Sequence, residues 1–313
     1  MLKSYYAVKH KNIEMMAERE LGFRKMLEKS IVVNIKIEHQ VVLKGQYQKA
    51  YDLLRDSLDT GITPCLVGPP GVGKSLLARK VAEDTGRSYH EIFFDENVTP
   101  SRLIGSFDPA LVVRNGRNIS SFEPGPLIRA MVEGGLFVAQ ELNRATEFCQ
   151  NSLISPLEER HYHIFPIGMV KAHQDFAFVA TQNPIETAGT YRLSKVLVDR
   201  MGSWIRLTYP TKETEMEIIR ENTPAFSLPE SALEKIFDII NVTRNTPSLE
   251  IPASPRSGIF LTRLVNKYIS RFKDEDTAIR FFAPAVLSKE MRVKEEGKTV
   301  SMIVEEIVEQ RLT

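Results

Sequence analysis

The residues from position 68 to 75 carry the clearest chemical signal in the chain. They read Gly68-Pro69-Pro70-Gly71-Val72-Gly73-Lys74-Ser75 and satisfy the pattern GxxxxGK[ST] in full. Glycines let backbone N–H groups turn inward onto phosphate oxygens, and the start of a following helix adds its dipole. Lys74 supplies a mobile cation for the β- and γ-phosphates, and the Ser75 hydroxyl can coordinate Mg²⁺. The segment therefore predicts a nucleotide-binding loop.

An enzyme that uses such a loop to hydrolyse a nucleotide also needs an apolar strand ending in acidic residues, one for the metal and one for the attacking water. Two segments qualify. IFFDEN at 92–97 contains Asp95, and LFVAQEL at 136–142 contains Gln140 and Glu141. The first segment follows the loop helix directly, and the next strand in such a chain often lies away from the loop strand. We therefore favour the second segment and keep the first as its rival.

The elements that must position these residues alternate between strand and helix. Alternation of this kind predicts an α/β fold with a parallel sheet and helices on both of its faces. The apolar runs that indicate strands lie at 64–68, 91–94, 136–139, 176–180 and 204–209. Before and between them, helical patterns cover 8–29, 46–58 and the segment from Ser75 to a C-terminal cap at Gly86, while 31–43 indicates a short strand or an extended linker.

Two interruptions predict hairpins. Asn115-Gly116 stands between β-type residues in the segment 111–122, which is a strong hairpin signal. The segment 161–173 predicts a second hairpin that turns at Pro166-Ile167-Gly168.

After Pro210 the patterns become helical and predict no strand. They cover 212–222, 230–244, 256–272, 276–293 and 299–311. We therefore predict an N-terminal helix in 1–30, an α/β nucleotide-binding domain in 31–210 and a helical domain in 211–313.

Composition narrows the class of protein. The 313 residues are 42% hydrophobic and 26% charged, which allows a sizeable core and argues against wholesale disorder. Forty-one basic residues against 40 acidic ones leave a net charge of +1, so no global charge marks a nucleic-acid or membrane-surface binder. Cys65 and Cys149 predict reduced core thiols rather than metal ligands. With no apolar stretch of membrane-spanning length and a charged N-terminus, we expect a soluble, cytoplasmic protein.

Several longer segments together resemble one family. The chain reads LFVAQELNRATEFCQNSLISPLEER from Leu136, then FAFVATQNPIETAGTYRLSKVLVDRM, then SPRSG at 254–258. With GPPGVGKS and the preceding Lys44-Gly45-Gln46, these segments resemble the MoxR family of AAA+ ATPases over roughly residues 42–310. The run ATQNPIE…GTY is the most family-specific. The resemblance implies an AAA+ domain with two hairpin inserts, a helical lid, and ATP and Mg²⁺ as ligands.

The resemblance also implies roles for individual residues. Gln140 and Glu141 take the acidic-motif pair, in which Glu141 is the general base. Asn183 takes the sensor-1 position, which orients the water or contacts the γ-phosphate. Arg200 takes the position of the arginine finger that reaches a neighbouring subunit's nucleotide, and Arg256 takes sensor 2, from the lid. By themselves, Asn183 also fits a turn opener, Arg200 a solvated helix face and Arg256 the first turn of a helix.

One departure from the family pattern bears on the metal. The family strand ends in Asp-Glu, and this chain has Gln140. A glutamine oxygen accepts hydrogen bonds from Mg²⁺-bound water but brings no charge. Ser75 and the triphosphate still hold the metal, so we expect weaker Mg²⁺ binding and slow hydrolysis. A second departure is Pro156, which we expect to kink or end its helix.

Three functions follow from these observations. The leading one is an ATPase of MoxR type that assembles as a ring of six subunits and remodels a protein client. The resemblance also implies a partner protein with a von Willebrand factor A domain. The second is a nucleotide-gated assembly switch that hydrolyses ATP poorly. The third is a nucleic-acid motor, for which four side chains of the second hairpin are candidates to touch phosphates, although no basic stripe accompanies them. These four are His161, His163, Lys171 and His173.

Overall fold

The computed structural model describes residues 40–184, 192–288, 291–293 and 299–312. The helix predicted within 1–30 lies outside the described residues. So does most of the segment 31–43, for which a short strand or an extended linker is predicted; its described residues, 40–43, form no strand. Contacts divide the chain into two compact units. The first contains Asp52–Val67 and Leu77–Arg206, and the second contains the described residues up to Tyr51, the segment Gly68–Leu76 and the chain from Leu207 onward.

The elements follow one another as the alternating patterns predict. The strands are β1 Pro64–Val67, β2 Tyr89–Phe93, β3 Gly105–Phe107, β4 Phe122–Pro124, β5 Leu136–Gln140, β6 His161–Ile164, β7 Gly168–Lys171, β8 Ala177–Gln182, β9 Ser203–Arg206, β10 Leu249–Ile251 and β11 Arg292–Val293. The helices are α1 Gln46–Asp59, α2 Lys74–Asp84, α3 Pro100–Ile104, α4 Pro109–Asn115, α5 Pro126–Glu133, α6 Glu147–Asn151, α7 Ile154–Glu158, α8 Lys195–Asp199, α9 Lys212–Glu221, α10 Glu230–Arg244, α11 Pro255–Tyr268, α12 Glu275–Leu287 and α13 Val300–Leu312.

A five-stranded parallel sheet organises the first unit. Its strand order is β2-β5-β8-β1-β9, and each pair of neighbours runs parallel. The inner strand β5 is completely buried, as expected for an apolar strand covered on both faces. On one face Phe137 packs against Phe178 of β8, with 5.4 Å between ring centroids. The α/β prediction is confirmed, and the sheet brings the carboxyl ends of β1, β5 and β8 to one side.

The hairpin predicted at Asn115-Gly116 is wrong. Residues 109–115 form helix α4, which Asp108 caps by accepting hydrogen bonds from two backbone N–H groups, and Gly116 follows the helix with φ of 75°. A capping Asp before Pro109 starts a helix strongly enough to override the β-branched residues that follow. The strand pair of this insert is instead β3 with β4, which run antiparallel and flank α4.

The second predicted hairpin is confirmed. Strands β6 and β7 pair antiparallel, from His161 opposite Lys171 to Ile164 opposite Gly168. The helix that precedes them is interrupted, as the sequence predicts, but the interruption falls at residues 152–153, between α6 and α7. Pro156 lies in the first turn of α7, where the missing N–H group has no helical partner to lose.

The second unit is helical, with one exception to the prediction. Strands β10 and β11 pair antiparallel, so the expectation of no strand after Pro210 is wrong. Helix α12 ends at Leu287, whereas the pattern predicted a helix to 293. Strands of three and two residues are too short to show an alternation of apolar and polar residues, so the sequence pattern does not predict them. Of the helices in the described ranges, the longest has 15 residues, and each is too short or too polar to cross a membrane.

The two cysteines behave as core residues. Cys65 and Cys149 are both buried, and neither is part of a disulfide, so the prediction that they lie in the core is confirmed. Burial raises the pKa of Cys149 to about 11. Since the thiolate is the reactive form, burial makes this thiol unreactive at neutral pH.

Candidate functional site

The segment Gly68–Ser75, hereafter the phosphate loop, connects β1 to α2. Gly71 and Gly73 adopt φ of 76° and 92°, conformations that side chains disfavour. The Lys74 ammonium donates hydrogen bonds to the carbonyl oxygens of Gly68 and Pro69, at 2.7 and 2.9 Å. Lys74 as a residue is 8% exposed, and two carbonyl oxygens of the loop hold its ammonium group. These residues fit a phosphate-binding cradle.

The N-terminus of α11 lies against the phosphate loop within the second unit. A Cβ atom at Gly71 would lie 2.5 Å from the Cβ of Ser254 and 3.9 Å from the Cβ of Arg256. Glycine is therefore required at position 71 for space as well as for its φ. The structure brings the predicted sensor-2 residue next to the loop whose ligand it would contact.

A buried ion pair supports the chain just before α11. Arg244 forms two hydrogen bonds of 2.6 Å with Glu215, and its guanidinium stacks 4.1 Å from the centroid of the Tyr209 ring. Arg244 also donates through Nε to the carbonyl oxygen of Ala253, whose N–H donates to the hydroxyl of Thr243. Burial raises the pKa of Glu215, and the hydrogen bonds from Arg244 offset only part of that rise. The pair fixes the residue that precedes Ser254.

Removing one partner of this pair is expected to destabilise the fold strongly. Arg244→Met leaves the Glu215 carboxylate, which is fully buried, without its counter-charge. The free energy of unfolding in urea should fall by about 3–5 kcal/mol. Lys235→Met is the matched control because it breaks an ion pair with Asp276 that is about one third exposed, and it should cost about 0–1 kcal/mol. Equal losses in the two variants would contradict the prediction.

The rival acidic segments end on different strands. Strand β2 is an outer strand of the sheet, and β5 and β8 separate it from β1. The segment with Asp95 therefore lies away from the loop strand, as predicted. The Asp95 carboxylate accepts a hydrogen bond from the N–H of Asn97, at 2.7 Å, in the turn after β2. Gln140, by contrast, ends β5, beside β8.

Four residues meet at the carboxyl ends of β5 and β8, and we name them the strand-end cluster: Gln140, Glu141, Thr181 and Asn183. Glu141 adopts a left-handed backbone conformation with φ of 53°, which is unfavourable for a residue with a side chain. Its N–H donates to the hydroxyl of Thr181, at 3.1 Å, and this contact holds the unusual conformation. Strained backbone of this kind is concentrated at functional sites.

Arg144, which the sequence analysis did not select, forms an ion pair with the carboxylate of Glu141. The Nε atom of Arg144 lies 2.7 Å from Oε2 of Glu141. Both side chains are about one third exposed, and the geometry is that of an ion pair rather than of a directed hydrogen bond. The signal available in the sequence was a cation three residues after an acid, within one helical turn. For Glu141 to act as a base, its carboxylate must first lose this contact with Arg144.

Asn183 is held at the end of β8 by a second residue that the sequence analysis missed. Asn183 is 3% exposed, and its carbonyl oxygen accepts a hydrogen bond from the side-chain amide of Asn143, at 3.0 Å. Asn143 follows Glu141 by two residues in the 3-10 turn after β5. The structure thus brings two of the predicted catalytic residues, Glu141 and Asn183, to the same side of the sheet.

Arg200 has different partners. It follows α8, and its guanidinium contacts Glu158 at 2.6 Å and Asp199 at 2.7 Å. Its side chain is 25% exposed. In the part of the chain that the structure describes, these partners are carboxylates at the surface and not members of the strand-end cluster.

Comparison with known proteins identifies a known domain in the chain. Residues 64–201 match the model of the AAA domain (dynein-related subfamily). The protein YeaC of Bacillus subtilis, described as uncharacterized, is 27% identical over 267 residues, which cover 76% of this chain and 80% of that protein. Chaperone MoxR1 of Mycobacterium tuberculosis is 33% identical over 182 residues, which cover 57% of this chain. The matched region spans only 44% of MoxR1.

A solved structure agrees with the fold. NtrX from Brucella abortus superposes with a TM-score of 0.55 over 85% of this chain and 58% of that chain, at 15% identity. This likeness concerns the fold alone. The AAA domain match shows that residues 64–201 form an AAA domain, and over 182 residues the chain is similar to the chaperone MoxR1.

Proposed function

We propose that this protein binds and hydrolyses ATP with Mg²⁺ and uses the energy, as a ring of identical subunits, to remodel a protein client. The observation that carries the proposal is the phosphate loop, closed around Lys74 with glycine in the left-handed positions. Three parts of the proposal rest on the family resemblance alone: the number of six subunits, the protein client, and a partner with a von Willebrand factor A domain.

Each residue near the phosphates has a proposed task. Lys74 and the backbone N–H groups of the phosphate loop bind the phosphates, and Arg256 adds a cation from α11. Ser75 and Gln140 would hold Mg²⁺, which when bound neutralises charge on the β- and γ-phosphates. Asn183 orients the attacking water through its side chain.

Glu141 is the proposed general base, which removes a proton from the attacking water. Its N–H is tied to Thr181, so the backbone that carries the carboxylate is fixed before the nucleotide arrives. Arg144 competes with the water for this carboxylate and must give way first. The breaking of this partly exposed ion pair costs about 0–1 kcal/mol, which nucleotide binding can readily supply.

The second candidate is a nucleotide-gated switch with weak hydrolysis. One observation favours it: Gln140 is 1% exposed and its amide is engaged at both ends within the sheet. A neutral amide held in this way brings no negative charge to the Mg²⁺ site, whereas an aspartate would. A turnover rate of purified protein that stays slow at saturating Mg²⁺ would favour the switch over the remodelling enzyme.

Replacing the proposed base tests which strand is catalytic. Glu141→Gln is expected to lower kcat by about 10²–10⁴-fold with little change in ATP affinity, because it removes the proton acceptor and keeps the shape of the side chain. Asp95→Asn is the matched control, since Asp95 lies in the turn after the outer strand β2. It should leave kcat within about twofold of wild type. Steady-state ATPase assays and nucleotide titrations measure both effects. If Asp95→Asn abolishes activity and Glu141→Gln does not, the catalytic strand is β2.

A further inference from the structure

A polar group inside the first unit connects β2 to the strand-end cluster. In the register of the sheet Glu91 lies opposite Val138, two residues before Gln140, so Glu91 and Gln140 share one face. The Gln140 amide nitrogen donates to the Glu91 carboxylate at 3.1 Å and lies 3.3 Å from the Tyr89 hydroxyl. We call Glu91 and Gln140 the acid–amide pair.

The carboxylate of Glu91 is surrounded by donors. Its Oε1 accepts from Arg79 of α2 at 2.8 Å, and its Oε2 accepts from the Tyr89 hydroxyl at 2.8 Å as well as from Gln140. Arg79 also lies over the Tyr89 ring, 4.6 Å from its centroid. Burial and the nearby carboxylate raise the pKa of Tyr89, so its hydroxyl keeps the proton that it donates. The side chain at position 140 completes this set only if it too is a donor.

The other end of the Gln140 amide reaches the candidate base. Its oxygen accepts a hydrogen bond from the Thr181 hydroxyl at 3.1 Å. The Thr181 oxygen, having given its proton to Gln140, is free to accept from the N–H of Glu141. If the amide turned over, its NH₂ group would point at Thr181 and compete with that N–H. Glu91 therefore sets the orientation of the amide, and the amide sets the contact that holds Glu141.

We propose that Glu91 is a positioning residue for the strand-end cluster and that it dictates an amide at position 140, where the family pattern has an acid. A carboxylate at 140 could accept from Thr181 but could not donate to Glu91, and it would bring two negative charges within hydrogen-bond distance. In this chain the acid of the pair lies on β2 and the amide lies on β5. The effect on Glu141 rests on the proposed ATPase function, whereas the pairing does not.

Exchanging the two side chains tests the pairing without any nucleotide. Gln140→Glu puts two carboxylates in the pair, Glu91→Gln leaves none, and the double variant Glu91→Gln/Gln140→Glu restores one. Gln140→Glu is expected to lower the melting temperature by about 5 °C or more, and the double variant to recover at least half of that loss. Should Gln140→Glu not fold, recovery of folded protein in the double variant supports the pairing equally. Two results would overturn the pairing of Glu91 with Gln140. One is a double variant whose melting temperature is no higher than that of Gln140→Glu, and the other is a Gln140→Glu variant with the melting temperature of the wild type.

The positioning role has its own readout in ATPase kinetics. Glu91→Gln frees the amide to turn over, so kcat should fall about fivefold, the ratio for one lost hydrogen bond, while the dissociation constant for ATP stays unchanged. An unchanged kcat in Glu91→Gln overturns the positioning role. A wild-type rate equal to that of Lys74→Ala would instead refute the ATPase proposal, and the melting experiment would still decide the pairing.

Discussion

Lys74→Ala is expected to abolish ATP binding while the protein stays folded. The Lys74 ammonium donates to two carbonyl oxygens of the phosphate loop, so the cation lies among polar backbone groups. Removing it takes away the charge that binds the β- and γ-phosphates, which no neighbouring loop residue replaces, since the other seven side chains of the loop are uncharged. The loss to folding is limited to about 1 kcal/mol for each hydrogen bond.

Calorimetric titration with ATP measures the first effect, and the thermal unfolding transition measures the second. Lys80→Ala is the matched control, since Lys80 lies on the same helix and pairs at the surface with Asp84, at 2.6 Å. It should bind ATP as wild type does. If Lys74→Ala loses its cooperative unfolding transition together with ATP binding, Lys74 is a structural residue and the argument from the phosphate loop fails.

The sequence predicted those parts of the fold whose signal is local. Apolar runs of four to six residues marked each strand of the parallel sheet, and a complete eight-residue motif marked the phosphate loop. The error at Asn115-Gly116 arose because the same dipeptide serves two purposes. A residue with positive φ ends a helix as readily as it turns a hairpin, and the capping role of Asp108 decided between them.

The contacts that organise the candidate site are not local, and the sequence could not predict them. Glu91 lies 49 residues before Gln140, and Thr181 lies 41 residues after it. Nothing in the spacing of these residues indicates that they meet. Only the register of β2, β5 and β8 places them on one face of the sheet. The glutamine at position 140 was visible as a departure, but its partner on β2 was not.

Arg200→Ala is expected to suppress ATP hydrolysis by about 10³–10⁵-fold while each subunit keeps its affinity for ATP, because an arginine finger acts on the transition state and not on nucleotide binding. In the single chain the Arg200 guanidinium contacts Glu158 and Asp199. Exposed ion pairs of this kind are weak, at about 0–1 kcal/mol, so the side chain can exchange them for phosphate oxygens of a neighbour. Arg55→Ala is the matched control, since it removes an exposed arginine that pairs with Asp59, and it should leave the rate unchanged.

Mixing two inactive variants decides whether Arg200 acts on a neighbouring subunit. Arg200→Ala keeps the phosphate loop but lacks the finger, and Lys74→Ala keeps the finger but lacks the loop cation. In a ring that mixes them at random in equal amounts, about one interface in four joins an intact loop to an intact finger. The mixture should therefore recover up to about a quarter of the wild-type rate, although each variant alone is inactive. A mixture no more active than its components, or Arg200→Ala subunits that hydrolyse ATP normally, would exclude the finger. A finger that acted within its own chain could not give recovery, since every chain in the mixture lacks one of the two groups.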